Sequence, residues 1–469
     1  MEKINHVVVL MLENRSFDHL LGFLGDRFPG QKFEGLSGQE SISADPRVVG
    51  AELVRVERAS TADAYITSPD PGHEYQDVCL QLYGKDQIEA GSPVTNNGFV
   101  CSYGAQEIAE DERPELATAK TIMRCVDPDR VPVLSTLAQE FVVCDHWFSS
   151  VPGPTWPNRF FVHAATSGGN VDNPISSGII RSQLWTSSYR MRTIYENLQE
   201  AGRSWKIYFH DVAQAFALRN LHPYAADGFE WFYPKAGRDT SFLLDAQEGT
   251  LPNYSFIEPQ YLNAPGSPAN DQHPPHDLRY GERLIATVYD ALRNNEELWN
   301  KCLFVILYDE HGGFYDHISP PATVNPDGQN AENGFDFTRL GLRVPAILAS
   351  PWLPRGRVDN AIYDHSSLLA TVKKLFDLPQ FLTERDRTAN TFEGSFLTQA
   401  RTDPPRNLMA KRHVAPSHVI ARSDSLPLSK DQRSLEALTR ALDDPGNELE
   451  TSRRVETRIE RALRRFEGA

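Results

Sequence analysis

The chain has 469 residues, 40% hydrophobic and 23% charged, enough for one large α/β domain with an appendage or for two domains. Its formal charge of -16 excludes the basic footprint of a nucleic-acid binder and gives no general attraction to anionic lipid surfaces, although a local patch can still make peripheral membrane contact. Met1 to Asn5 runs straight into Val7-Val8-Val9-Leu10 with no basic leader or cleavage site, and no apolar run approaches a membrane span. The expectation is a cytoplasmic protein, or one exported without a cleaved signal peptide. Five scattered cysteines without metal-type spacing read as free buried thiols.

The apolar run over 6–12 predicts a buried strand that ends abruptly in Glu13-Asn14-Arg15-Ser16-Phe17-Asp18-His19, with a helix over 16–24. Residues 25–60 read as loops with short strands. Pro69-Asp70-Pro71-Gly72-His73-Glu74 is a turn opening a helix over 75–82. A helix over 131–138 feeds a strand over 141–144, and then comes Val151-Pro152-Gly153-Pro154-Thr155-Trp156-Pro157-Asn158-Arg159. Prolines bracket the single threonine and stiffen its backbone. A helix starting at Pro157 would point N–H groups at an anion beside Thr155, though taken alone the segment reads more readily as a connecting loop.

A helix over 193–201, a strand over 204–208, a loop over 259–275 and a helix over 281–294 follow. The strand over 302–307 ends in Asp309-Glu310-His311-Gly312-Gly313-Phe314-Tyr315-Asp316-His317. A strand over 343–349 and a helix over 366–376 close the alternation, which predicts a mainly parallel sheet covered on both faces. Residues 1–400 form the expected catalytic domain. Residues 401–469 read as a linker and a charged helical extension, with Leu435, Leu438 and Leu442 on one helical face and Val455, Ile459 and Leu463 on another. Such faces more often pack on a core or a partner than on a membrane.

Two buried strands ending in acids and amides put those side chains at the carboxyl edge of a sheet, where ligands sit in open α/β folds. Four oxygen donors, from Glu13, Asn14, Asp309 and Glu310, can converge there on one hard cation; each turn alone reads equally as Asx or N-cap chemistry. His73, His273, His276 and His365 all stand at element edges. A lone histidine is more often structural, but four so placed suggest donors to a phosphate oxygen or to a leaving group.

These motifs, together with Tyr363-Asp364-His365-Ser366-Ser367, resemble in order and spacing the phosphoesterase family of bacterial phosphatidylcholine-type phospholipases C, plant non-specific phospholipases C and a bacterial acid phosphatase. The resemblance runs from His6 to about Phe392 and leans to the phospholipase branch through His311-Gly312-Gly313. It implies an alkaline-phosphatase-like α/β/α sandwich. It implies one divalent metal on Glu13, Asn14, Thr155, Asp309 and Glu310, with Thr155 as nucleophile. All-oxygen ligands favour Ca²⁺, Mg²⁺ or Mn²⁺, while Zn²⁺ and Fe also accept carboxylates. On this reading Thr155 forms a phosphothreonine enzyme, His73 and His273 hold phosphate oxygens, and His365 protonates the leaving alkoxide. His276, Trp156 and Asn158 are expected to contact substrate. The expected function is a phospholipase C acting on phosphatidylcholine or phosphatidylethanolamine. The alternatives are a phosphatase or phosphodiesterase on soluble phosphoesters and a non-catalytic binding or delivery module with a vestigial site. Nothing in the sequence speaks to the oligomeric state.

Overall fold

A computed structural model of the chain describes residues 3–85, 93–108, 112–174, 179–180, 189–264, 266–416 and 428–443. Eight strands make its main sheet: β1 His6–Leu12, β2 Val142–Cys144, β3 Trp205–Phe209, β4 Phe229–Trp231, β5 Tyr254–Glu258, β6 Cys302–Tyr308, β7 Ala346–Ala349 and β8 Arg357–Asp359. Their spatial order is β8-β2-β7-β6-β1-β5-β3-β4. Every pairing is parallel except the two that β7 makes, with β6 and with β2. No helix lies between β6 and β7 to carry the chain back across the sheet, so β7 returns antiparallel.

Central strands β1 and β6 are nearly continuous apolar runs, buried along their length apart from His6, a pattern that requires cover on both faces. The helices that bear on the site are α1 Phe17–Leu21, α2 Tyr75–Tyr83, α3 Pro132–Glu140, α4 Thr155–Ala164, α5 Ile194–Glu200, α6 Leu278–Asn294, α7 His365–Phe376 and α8 Lys430–Asp443, with further short helices, among them Phe99–Gly104 and Phe242–Glu248, between them. They gather in two sets: α6 packs on α3, and α4 packs on α7 and α5. The result is the mainly parallel α/β/α sandwich that the alternation of elements predicts. Helix α6 buries Leu278, Leu284, Ile285, Val288, Tyr289 and Leu292 at helical spacing. The same buried face carries Glu282, whose carboxylate accepts from the Val133 and Leu134 N–H groups (2.7 and 2.9 Å) and caps the start of α3.

The helix expected over 16–24 is α1 followed by a 3₁₀ turn, Gly22–Arg27. Strand β5 is not anticipated by the sequence, because Tyr254-Ser255-Phe256-Ile257-Glu258 is a short run between Pro252 and Pro259 with a serine inside it. It pairs directly with β1 and delivers the loop that carries His273. Toward the C-terminus, Leu408 is buried in the core, and the Leu408 and Met409 N–H groups bond to Asp290 on α6. Helix α8 sends Leu435 and Leu438 into the main core with Leu442 half-buried beside them, whereas Val455, Ile459 and Leu463 lie outside the described residues. Among the described residues no helix is long and apolar enough to cross a membrane. Cys79, Cys125, Cys144 and Cys302 are free thiols.

Candidate active site

Register builds the first side of the site. Leu12 stands opposite Tyr308 at the ends of β1 and β6, so Glu13 and Asp309 leave the sheet side by side. Asn14 turns the chain in the left-handed region (φ 56°), and its N–H donates to Asp309 Oδ1 at 3.0 Å. The Glu310 N–H donates to the same oxygen (2.7 Å), and Gly312 N–H donates to Glu310 Oε2 (2.7 Å). Gly312 itself has a φ of +63°, and a Cβ there would lie 2.1 Å from the Asn14 carbonyl oxygen, so this close approach requires glycine. Two oxygens at this edge, Asp309 Oδ2 and Glu310 Oε1, are buried without a hydrogen-bond partner.

Helix α4 builds the second side. It begins at Thr155 rather than Pro157, so the nucleophile candidate is its first residue and the proline falls in the first turn. Thr155 Oγ1 donates to Asn14 Oδ1 at 3.3 Å. The Trp156 N–H is already committed to Asn173 Oδ1 (2.9 Å), which removes one of the first-turn donors expected to face an anion. Four residues after Thr155, on the same helical face, Arg159 reaches Glu13 Oε1 (3.2 Å), Asp309 Oδ2 (3.4 Å) and Glu258 (3.6 Å). Burial alone would weaken its charge, but Tyr261 and these three carboxylates hold it firmly protonated. Burial pushes the carboxyls of Glu13, Asp309 and Glu310 upward, and Arg159 offsets this only in part at Glu13 and Asp309. The Arg159 role is missed by sequence reasoning, although the spacing of four from Thr155 was there to be read.

Histidines from two loops make the third side. His73 Nε2 and His273 Nε2 meet at one oxygen, Asp431 Oδ2 of α8, at 2.8 and 2.9 Å. Asn14 Nδ2 stands 3.5 Å from that oxygen, and Asn173 Nδ2 donates to Asp431 Oδ1. Burial opposes protonation of both rings, but the charge of Glu310 and Asp431 on His73, and of Asp70 and Asp431 on His273, raises them, His273 to about 10. His276 lies next to them, paired to Asp271 at 2.6 Å and to Gln432 of α8 at 2.9 Å. Glu13, Asn14, Thr155, Asp309, Glu310, His73 and His273 are each no more than 2% exposed, so the cluster is sealed from solvent as it stands. Nothing local in the sequence signals Asp431 or Asn173.

The remaining candidates lie around this centre. His365 sits behind Asp309, its Nε2 on the Asp309 carbonyl oxygen (2.6 Å) and its Nδ1 accepting from Trp147 (3.4 Å). Burial lowers it to about 4, so it is a neutral ring that fixes the Asp309 backbone, and it does not face Thr155 as a charged acid. Asn158 does not face the cluster either: it clamps the proline loop through Val151, Gly153 and Pro154. Trp156 is packed with Phe160 and Tyr189 in the core, away from any mouth, and Trp147, Phe148, Phe160 and Phe161 are equally buried. Asp316 and His317, from the second motif, join Asp18 and Arg343 and pin the two motif turns together.

Among the described residues two groups come close enough to share an ion, Asp70–His73–His273 and Asp18–Asp316–His317. In the second, the Arg343 guanidinium already bonds both aspartates (2.8 and 2.9 Å). The carboxylates of Glu13, Asp309 and Glu310 do not draw together as a group in this way, with Arg159 reaching in among them. The donor chemistry nevertheless fits a hard cation. Asp309 Oδ2 and Glu310 Oε1 are buried oxygens that no hydrogen bond satisfies, and the Asn14 and Thr155 oxygens adjoin the same edge.

A sequence profile of the Phosphoesterase family matches residues 4–379. The chain is 39% identical to the non-specific phospholipase C6 of Arabidopsis thaliana over 94% of this chain and 81% of that one. It is 28% identical to the non-hemolytic phospholipase C of Burkholderia pseudomallei (strain K96243), over 80% of this chain and 55% of the other. Among solved structures it is similar to a protein in the alkaline phosphatase superfamily from Vibrio parahaemolyticus, with 15% identity, a TM-score of 0.33 and coverage of 58% and 66% of the two chains. By its profile match and by its identity to these relatives, the chain belongs to the Phosphoesterase family.

Proposed function

We propose that the protein is a phospholipase C, a phosphoric ester hydrolase that cleaves the glycerol side of the phosphate in a glycerophospholipid. The observation that carries the reading is Thr155: a buried hydroxyl on the first residue of a helix, bonded to Asn14 amid acids and charged histidines at the sheet edge. The similarity to phospholipases C over most of the chain supports it.

In this reading Thr155 Oγ1 attacks phosphorus and gives its proton to a carboxylate of the adjoining acid edge, a P–O bond to threonine forms and the P–O bond to glycerol breaks. The phosphorylated head group stays on Thr155, and water then releases it. Asn14 orients the hydroxyl through Oδ1. His73 and His273, both held cationic, present converging Nε2–H groups to the non-bridging oxygens, and one of them gives its proton to the departing diacylglycerol alkoxide. Asn158 keeps the proline loop, and so Thr155, in place. A divalent cation held by Glu13, Asn14, Thr155, Asp309 and Glu310 would lower the cost of an alkoxide at Thr155 and of charge on the phosphate.

The test is hydrolysis of phosphatidylcholine vesicles by the wild type and by Thr155→Ala, with products identified by mass spectrometry. Diacylglycerol and phosphocholine from the wild type alone are expected. No lipid turnover, with Thr155-dependent cleavage of p-nitrophenyl phosphate, would move the activity to soluble phosphoesters.

A further inference from the structure

Asp431 stands where the proposed chemistry needs a phosphate oxygen. Its Oδ2 receives the same two Nε2 groups, from His73 and His273, and lies within reach of the Asn14 amide. A carboxylate and a phosphoryl group both present geminal anionic oxygens to such donors, and two anions cannot occupy one set of them. The side chain is 1% exposed. Burial would favour its neutral form, but His73 and His273 hold it ionised.

The rest of α8 is built to keep it there. Ser429 and Gln432 cap the helix reciprocally, Ser429 N–H to Gln432 Oε1 (2.9 Å) and Gln432 N–H to Ser429 Oγ (3.1 Å). That fixes Asp431 in the first turn, where the helix end favours an acid. Gln432 Nε2 donates to the Tyr261 carbonyl (2.8 Å), Ser434 Oγ to the Pro174 carbonyl (2.7 Å), and Leu435 and Leu438 seat the helix in the core.

We propose that Asp431 is an internal occupant of the phosphate seat, competing with the substrate's phosphate for His73 and His273, so that α8 must withdraw before the site can load. The inference rests on the reading of those two histidines as the phosphate seat. It makes α8 the element that sets the enzyme's affinity for phosphate.

The experiment is titration of the full chain with inorganic phosphate, followed by calorimetry, for the wild type, Asp431→Ala, Asp431→Asn and the double variant His73→Ala/Asp431→Ala. Removing an internal competitor should tighten phosphate binding by about tenfold or more in Asp431→Ala, with a matching fall in KM for a short-chain phosphatidylcholine. The isosteric Asp431→Asn, which guards against a folding defect, should tighten it by about threefold. Phosphate bound no more tightly by both Asp431 variants than by the wild type would overturn the proposal. Tightened binding that survives His73→Ala would instead overturn the phosphate-seat reading beneath it.

Discussion

The two sides of the site are held in different ways. Glu13, Asn14, Asp309 and Glu310 are fixed by the register of two adjacent buried strands, and Arg159 ties them to α4 from within the core. His73, His273 and His276 stand on loops, and a helix from the far end of the chain ties them together through Asp431 and Gln432. The first arrangement cannot move without disturbing the sheet. The second can change by undocking one helix, so rigidity is concentrated at the proposed nucleophile, Thr155, and adjustability at the histidines proposed to receive phosphate.

Variants can break this contrast from either side. The largest loss of stability is expected from Arg159→Met, which leaves Glu13, Asp309 and Glu258 buried without the cation that faces all three. Unfolding free energy in urea should fall by about 3–5 kcal/mol. A loss as small as that of an exposed ion pair would show that the carboxylate side is not held by Arg159. Glu310→Gln should leave the fold intact while lowering bound divalent metal and turnover together, activity by about a hundredfold. Normal metal content in that variant would remove Glu310 from the ligand set. Asn158→Ala should cost about 1–3 kcal/mol of stability, because the Val151 N–H and the carbonyls of the proline loop lose their buried partner, with a fall in kcat and little change in KM. An unchanged kcat would mean that the loop positions Thr155 without Asn158.

Much of the sheet-held side was legible in the sequence, for a physical reason. An apolar run that stops at acids and amides marks both a strand and the edge where it ends, so Glu13 and Asp309 announce themselves from both ends of the chain. Strand β5 gave no such signal, being five residues with a serine among them, and yet it aims the His273 loop. His365 shows the opposite error: its position at a helix start suggested proton transfer, whereas both of its nitrogens are spent on Asp309 and Trp147. Trp156 and Asn158 were read as substrate contacts because they neighbour Thr155 in sequence, but on a helix successive side chains point in different directions. The histidine side needed a contact between residues 358 apart, which no local pattern encodes.

The most direct test of the central claim is to quench the enzyme in acid during turnover of phosphatidylcholine and map the covalent adduct by mass spectrometry. The account predicts the head-group phosphate on Thr155 and no adduct in Thr155→Ala. Steady diacylglycerol release by Thr155→Ala, or an adduct on another residue of the wild type, would contradict it.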